Sequence, residues 1–223
     1  SLSLYHREKD FTIASSHGHE RTLISPNISN ILPAVTSYAS SGKHILEGFA
    51  FLSFNRRVAE VISGGKMVLK NCNISYCRVN EGSPIRVHTR GLLGLYSTVV
   101  SNNRGDYGGS VYCEGVCSVK ENSIFQKNEA KYEGGALYCS GEYSQCSSHD
   151  SIFLNNVAHD SGGAFAVVKS AVLLISQSYF AYNFVETPQN SKYSEPERGG
   201  GAIYASSSLL NISESSNFSL NLT

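Results

Sequence analysis

The sequence predicts an all-β fold, a single-stranded parallel β-helix in which successive coils of the chain stack on one another. Two short patterns support this prediction, because they alternate in fixed order and return about every 26 residues. One pattern is F-x-x-N, and the other is Gly-Gly-Ala followed by an apolar residue. The residues that define the three clear copies are Phe125, Asn128, Gly134, Gly135, Phe153, Asn156, Gly162, Gly163, Phe180, Asn183, Gly200 and Gly201.

The length of the repeat suits one full coil of such a helix. A strand rises about 3.3 Å per residue, so about 26 residues form three short strands and three corners. Coils stack about 4.8 Å apart, and equivalent residues therefore lie above one another in columns. We expect the phenylalanines to fill the core and the asparagines to form amide ladders that satisfy buried backbone groups. The Gly-Gly pair allows a corner with positive φ.

Two alternatives to this architecture fit the sequence less well. Chance recurrence is improbable for three pairs in fixed order at near-equal spacing, and the L-x-x-L-x-L frame of a leucine-rich solenoid is absent. A weaker copy of both patterns stands upstream, at residues 100–103 and 108–111. The repeats therefore extend from residue 97 to about residue 205.

The alternation of F-x-x-N with G-G-A-[ILVF] resembles the polymorphic membrane protein repeat, named from chlamydial surface autotransporters. The resemblance covers the three full copies and the weaker one, and it is slight before residue 97. It implies a right-handed parallel β-helix of the pectin-lyase-like type. It also implies a surface protein, since several members of that family are implicated in adhesion to host cells.

We expect one domain, residues 1–223, with roughly seven coils of about 22–28 residues each. Residues 1–96 would form degenerate coils, residues 97–205 the repeats, and residues 206–223 the start of a further coil. The chain does not begin with Met, and we interpret it as a segment of a longer polypeptide.

A longer loop at residues 184–199 interrupts the regular spacing of the repeats. Solenoids carry insertions on one face, which is often the binding face. Tyr193 in this loop is therefore a candidate binding residue, although an idle loop is the alternative.

Composition narrows the classes of function. A hydrophobic content of 41% and a charged content of 16% are typical of a globular protein. Eighteen basic residues balance eighteen acidic ones, so we expect no nucleic-acid partner. No apolar run approaches 18 residues, and we predict no membrane-spanning segment in this chain.

The cysteines form three near pairs, which argues for disulfides and an oxidising compartment. They are Cys72, Cys77, Cys113, Cys117, Cys139 and Cys146. We expect each near pair to close a turn within its own coil. A bridge between Cys113 and Cys139 is the alternative, because both occupy the same position of the repeat. The spacings do not match a zinc site, and we expect no metal.

Candidate surface features are of three kinds. Arg104-Gly105-Asp106 lies in a corner, where an exposed tripeptide of this type can bind an integrin, although these are also ordinary turn residues. A second feature is the outward column of Tyr112, Tyr138 and Tyr204, which can bind glycans or merely cover strands. The third is a set of glycosylation sequons, only slightly more frequent than chance, at Asn27, Asn73, Asn211, Asn217 and Asn221.

An active site is not indicated by the sequence. The parallel β-helix also hosts polysaccharide-degrading enzymes, which need clustered carboxylates. The chain has four Asp, none next to another, and it carries no Ser/His/Asp, P-loop or Rossmann pattern. We therefore expect no catalytic residue and no cofactor.

The sequence favours a non-enzymatic protein, extracellular or on the cell surface. Its partner would be a protein receptor or a glycan on another cell, and we expect a monomer within a longer polypeptide. One alternative is an enzyme like pectate lyase or polygalacturonase. The other is a purely structural stalk.

Overall fold

The computed structural model describes residues 11–16, 18, 23–24, 33–38, 42–186 and 199–223. Within these ranges all regular secondary structure is β-strand. The first half contains β1 (Phe11–Ala14), β2 (Leu23–Ile24), β3 (Val35–Ser37), β4 (Lys43–Glu47), β5 (Ala50–Leu52), β6 (Ala59–Val61), β7 (Lys66–Lys70), β8 (Asn73–Ser75), β9 (Ile85–Val87), β10 (Leu92–Tyr96), β11 (Val99–Ser101), β12 (Arg104–Gly105) and β13 (Val111–Cys113).

The second half continues in the same way, with short strands separated by corners of a few residues. It contains β14 (Val116–Lys120), β15 (Ser123–Gln126), β16 (Glu129–Ala130), β17 (Leu137–Ser140), β18 (Gln145–His149), β19 (Ser151–Leu154), β20 (Val157–Ala158), β21 (Phe165–Val168), β22 (Val172–Ser176), β23 (Tyr179–Ala181), β24 (Phe184–Val185), β25 (Ile203–Ser206), β26 (Leu209–Ser213) and β27 (Asn217–Ser219).

The strands assemble into four parallel sheets that run along the molecule. Sheet 1 has the order β1-β4-β7-β10-β14-β18-β22-β26, and sheet 2 the order β2-β5-β8-β11-β15-β19-β23-β27. Sheet 3 has the order β3-β6-β9-β13-β17-β21-β25, and the small sheet 4 the order β12-β16-β20-β24. The chain visits sheets 1, 2 and 3 in turn and then returns to sheet 1 one rung further on. This arrangement is a parallel β-solenoid and confirms the predicted all-β stacked fold.

The register of the strands places equivalent residues of successive repeats side by side. In sheet 2, Val100 pairs with Phe125, Phe125 with Phe153, and Phe153 with Phe180. These inward residues belong to one continuous hydrophobic core that runs through the coils. Because side chains alternate between the two faces of a strand, the neighbouring residues point outward.

Single residues in the left-handed region make the sharp bends between sheets. The residue before the asparagine of each F-x-x-N segment has φ between 52° and 55° in four successive coils: Asn102, Lys127, Asn155 and Tyr182. One such residue bends the backbone sharply from one sheet toward the next without starting a helix. The described residues include no helix with the length and apolarity that a membrane crossing requires.

Candidate binding surface

The phenylalanines of the repeat form a continuous stack in the core. Phe125, Phe153 and Phe180 are fully buried, with ring centroids 5.2 Å and 4.7 Å apart along the stack. Phe218 continues it at 4.7 Å from Phe180. Offset stacking of aromatic rings adds to the free energy gained from burying them. The buried rings of Phe125, Phe153 and Phe180 therefore maintain the fold and are not part of the surface.

The asparagines form the predicted ladder of side-chain amides. Nδ2 of Asn128 donates to Oδ1 of Asn156 at 2.9 Å, and Nδ2 of Asn156 donates to Oδ1 of Asn183 at 2.9 Å. Each amide also donates to a backbone carbonyl of the preceding coil, such as Asn156 to Phe125 at 3.0 Å. Each of these buried asparagines thus satisfies backbone groups that would otherwise be left unpaired.

The ladder includes one copy of the pattern beyond those predicted from the sequence. Residues 218–221 are a further F-x-x-N segment, separated from the previous copy by the insertion before Gly200. Asn221 extends the ladder, because its Oδ1 accepts from Nδ2 of Asn183 at 3.0 Å and its Nδ2 donates to the carbonyl of Phe180 at 3.0 Å. The F-x-x-N pattern at residues 218–221 is the signal in the sequence for this role, in addition to the sequon at Asn221.

The two glycines of each Gly-Gly corner have different tasks. The first adopts positive φ, +69° in Gly134 and +67° in Gly162, as the sequence predicts. The second lies against the next coil, since a Cβ on Gly135 would approach the carbonyl oxygen of Gly163 to less than 3.0 Å. The second glycine is therefore required for close stacking of the coils.

One predicted disulfide is present. Cys139 is bonded to Cys146, with Cα atoms 6.4 Å apart. This bond contradicts the alternative bridge between Cys113 and Cys139, although the two residues are register partners. Cys113 and Cys117 occupy the same corner one coil earlier and are free and buried in this structure, where the neighbouring Cys113 and burial raise the pKa of the Cys117 thiol. A disulfide between these two thiols stays a prediction.

The expected pairing of Cys72 with Cys77 is wrong for this structure, in which both are free and buried. Strand β8 separates them, and five residues of extended chain span roughly 16 Å, far beyond the ~7 Å limit for a disulfide. The Cys72 thiol donates to the carbonyl of Leu46 at 3.4 Å, as the Thr98 hydroxyl does to that of Leu69 in the next coil.

Cys77 takes the place of an asparagine at the start of the ladder. Its backbone N–H donates to Oδ1 of Asn103 at 2.9 Å, and its thiol donates to the carbonyl of Phe51. Burial raises the pKa of the Cys77 thiol to about 11. Both cysteines therefore act as buried donors in polar columns, a role that cysteine spacing in the sequence does not reveal.

The tripeptide Arg104-Gly105-Asp106 is incorporated into the stacked strands. Arg104 and Gly105 form β12, and Gly105 is buried against the backbone of the preceding coil. Asp106 is half-buried, and its Oδ2 accepts from the N–H of Gly82 at 3.3 Å. Only the Arg104 side chain is exposed, and it lies 3.4 Å from Oε1 of Glu129. The corner is thus a short strand, in which Arg104 is the one exposed side chain of the tripeptide.

The remaining candidate residues are spread over the molecule. Asn211 and Asn217 are exposed, Asn73 is half-buried in β8, and Asn221 belongs to the ladder. Tyr193 and Asn27 lie outside the described residues. The structure therefore does not bring the predicted surface residues together at one site.

A cluster of four tyrosines lies on the outer side of sheet 3 and the adjoining corner. We call Tyr107, Tyr112, Tyr132 and Tyr138 the tyrosine cluster. The ring centroids of Tyr107 and Tyr132 are 4.9 Å apart, and those of Tyr112 and Tyr138 are 5.0 Å apart. Tyr112 and Tyr138 are neighbours in the outward column, as predicted, and Ala166 separates Tyr138 from Tyr204.

Charged groups flank the tyrosine cluster. The Arg86 guanidinium lies 3.5 Å from the centre of the Tyr112 ring and is paired with Glu114 at 2.7 Å. Burial raises the pKa of Tyr112, although Arg86 opposes this shift. Burial and the neighbouring Asp160 also raise the pKa of Glu133. The tyrosine cluster therefore combines aromatic rings with charged groups that are partly shielded from solvent.

These features define a class of protein. The molecule is a parallel β-solenoid whose coils are joined by an asparagine ladder and Gly-Gly corners, with its variable side chains on the outside.

Comparison with known proteins adds the type of repeat. A model of the Chlamydia polymorphic membrane protein (Chlamydia_PMP) repeat matches residues 122–140, which contain one F-x-x-N segment and the Gly-Gly-Ala corner that follows it. The resemblance noted in the sequence is confirmed over this repeat. Comparison with curated proteins and comparison with solved structures returned no match.

Proposed function

We propose that this chain is a non-enzymatic cell-surface protein that makes contact with another cell through the outward side chains of its solenoid. One observation carries the proposal. The side chains repeated from coil to coil are buried in columns, so repetition serves the fold, whereas the outward side chains differ between coils. The outward column of sheet 3 shows the difference: Glu60, Arg86, Tyr112, Tyr138, Ala166 and Tyr204, of which Tyr138 and Ala166 are buried.

The repeat type supports a location at the cell surface. The matching family model is described as a membrane protein repeat. A disulfide between Cys139 and Cys146 is consistent with an oxidising compartment. In such a compartment of a eukaryotic cell, Asn211 and Asn217 would be accessible for glycosylation. Tyr193 stays a proposed contact residue of the loop at 184–199.

A second candidate function is the processing of a polysaccharide. On the outer face of sheet 3, Nε2 of His88 lies 2.9 Å from Oε1 of Glu60, and Arg57 contacts the same carboxylate at 2.6 Å. A histidine paired with a carboxylate can transfer protons. The contact of Arg57 and His88 with one carboxylate also suits a purely structural ion-pair cluster.

One experiment separates these functions. The purified chain is applied to intact cells in a saturation binding assay and, in parallel, to a panel of polysaccharides assayed for new reducing ends and unsaturated sugars. We expect saturable binding to cells and no release of sugars. Release of sugars that is abolished by Glu60→Gln would contradict the proposal. A complete lack of binding would also contradict it and favour a structural stalk.

A further inference from the structure

Two arginines lie side by side at the corner between sheets 2 and 3. Arg78 and Arg104 are bridge partners on adjacent coils, about 4.8 Å apart in their backbones, and both side chains are exposed. Like charges placed directly opposite each other destabilise a sheet. Arg104 is paired with Glu129, whereas no carboxylate of the described residues lies within 4.0 Å of the Arg78 guanidinium. The pair therefore leaves positive charge facing solvent.

Further basic side chains extend this corner in both directions. Lys131 lies on the next coil, and Arg56 and Arg57 lie on the coil before Arg78, where Arg57 is paired with Glu60 at 2.6 Å. We call Arg56, Arg57, Arg78, Arg104 and Lys131 the basic corner. The chain as a whole has no net charge, so this grouping reflects an uneven distribution of charge. A surface lined by one sign of charge concentrates oppositely charged ligands.

Two adjoining clefts run along the basic corner. One, of about 280 Å³, is lined by Arg78, Arg104, Asp106 and Lys131 together with Val79, Asn80 and Gly105. The other, of about 340 Å³, shares Val79 and Asn80 with it and extends to Arg56, Arg57 and Glu81. The acidic groups in the lining are Glu81 and Asp106, and Asp106 accepts a hydrogen bond from a backbone N–H. The clefts therefore form one elongated groove in which basic side chains outnumber acidic ones.

The tyrosine cluster borders one end of the groove. The Lys131 ammonium lies 4.9 Å from the centre of the Tyr132 ring, and Tyr107 packs against Tyr132. Aromatic faces can bind the apolar faces of sugar rings, and guanidinium groups bind tetrahedral oxyanions through paired hydrogen bonds. The groove thus offers both kinds of contact along one line.

We propose that the basic corner binds a sulfated polysaccharide chain, with Arg78 and Arg104 on adjacent sulfates and Tyr107 or Tyr132 against a sugar ring. Arg78 and Arg104 follow one another at the rise between coils, which suits adjacent charges of a linear polyanion, and Glu129 is the next residue of their column. Val79 is the only aliphatic side chain in the groove lining next to Arg78 and Arg104, so little here would insert into a lipid layer. The choice of a polysaccharide over other polyanions rests on the proposed function at the cell surface.

The test uses the whole chain and calorimetric titration with a size-defined heparin oligosaccharide. Its fully desulfated counterpart and a single-stranded DNA oligonucleotide of equal charge serve as the other probes. We expect Arg78→Ala/Arg104→Ala to raise the Kd for the sulfated probe at least about tenfold and to lower its dependence on salt, since two ion contacts are lost. The matched control is Lys66→Ala/Lys120→Ala, which removes two positive charges from the outer face of sheet 1 and should change Kd less than about twofold.

Several results would overturn the inference. They are unchanged binding by the arginine variant, an equal loss in the lysine variant, equal affinity for the desulfated probe, and equal affinity for the DNA. Because Arg78 and Arg104 are exposed, both variants should keep the wild-type thermal midpoint, which confirms that they are folded. If the arginine variant loses the sulfated probe but still binds cells, this inference stands and the cell ligand is another molecule. If the arginine variant binds the sulfated probe and the cells as the wild type does, this inference fails while the proposed function stands.

Discussion

At the scale of single residues, the asparagines connect each coil to both of its neighbours. Asn156 is fully buried; its Oδ1 accepts from the backbone N–H and Nδ2 of Asn128, and its Nδ2 donates to Phe125 and Asn183. Removing this one side chain would therefore leave polar groups of two coils without partners. A buried polar group left unpaired costs about 1–3 kcal/mol.

We expect Asn156→Ala to lower the free energy of unfolding by about 3–5 kcal/mol, because four hydrogen bonds of the buried side chain are lost. Urea denaturation followed by circular dichroism measures the change. Asn80→Ala is the matched control, since Asn80 is exposed and should change stability by no more than about 0.5 kcal/mol. Equal effects of the two substitutions would show that the ladder does not stabilise the fold.

The half-buried Glu133 gives the molecule a dependence on pH. Burial and Asp160 raise the pKa of its carboxyl above that of the unfolded chain, so the folded state binds the proton more tightly. Its contribution is fully present below the unfolded pKa and is lost as the pH rises through the folded pKa. Ionised Glu133 is therefore destabilising near neutral pH.

Accordingly, Glu133→Gln should raise the thermal midpoint at pH 7 by roughly 1–2 °C, a small gain because the group is partly screened by solvent. The gain should vanish near about pH 3.5, where the wild-type carboxyl is protonated in both states. Scanning calorimetry at both pH values measures the change in thermal midpoint, with Glu142→Gln on an exposed turn as control. A gain that persists at low pH would contradict this account of Glu133.

At the scale of strands and corners, close stacking depends on the second glycine of each corner. A Cβ on Gly135 would meet the backbone of the next coil, which cannot move aside without disturbing the pairing of β17 with β21. We expect Gly135→Ala to lower stability by more than about 3 kcal/mol, and the protein to accumulate mainly in insoluble form. Gly199→Ala is the control, because a Cβ there meets no atom within 4 Å.

A soluble Gly135→Ala protein with wild-type stability in urea would show that the coils are further apart than the structure indicates. An equal loss of stability in the Gly199→Ala control would also contradict the account, since it would show that the loss does not depend on the backbone contact at Gly135.

The corners also show how far the sequence could predict the elements. F-x-x-N and Gly-Gly predicted the inward columns because those side chains must be alike in every coil. The substitution of Cys77 for an asparagine was not predictable, since a thiol differs from an amide in size and polarity although it can donate the same hydrogen bond. The incorporation of Arg104 and Gly105 into β12 was missed as well, because a two-residue strand depends on its neighbours and not on its own composition.

At the scale of the whole molecule, the register of the columns determines what each outer face presents. The repeat period predicted the stacking, and the stacking brings Arg78 next to Arg104 although 26 positions separate them in the chain. Neither arginine belongs to a recurring pattern, so the sequence alone could not indicate the basic corner. A surface that is assembled from different coils becomes visible only when the register is known.

The register itself can be tested in solution by a cross-link between adjacent coils. Ser118 of β14 and Ser147 of β18 are register partners on the outer side of sheet 1, with hydroxyl oxygens 3.0 Å apart. We expect Ser118→Cys/Ser147→Cys to form a disulfide under mild oxidation, detected as a linked peptide by mass spectrometry. The control is Ser118→Cys/Leu174→Cys, whose positions are two coils apart, about 9.6 Å, and too distant to bond. A linked peptide in the first variant only is the predicted result, and a link in the control or in neither variant would contradict the stacked register.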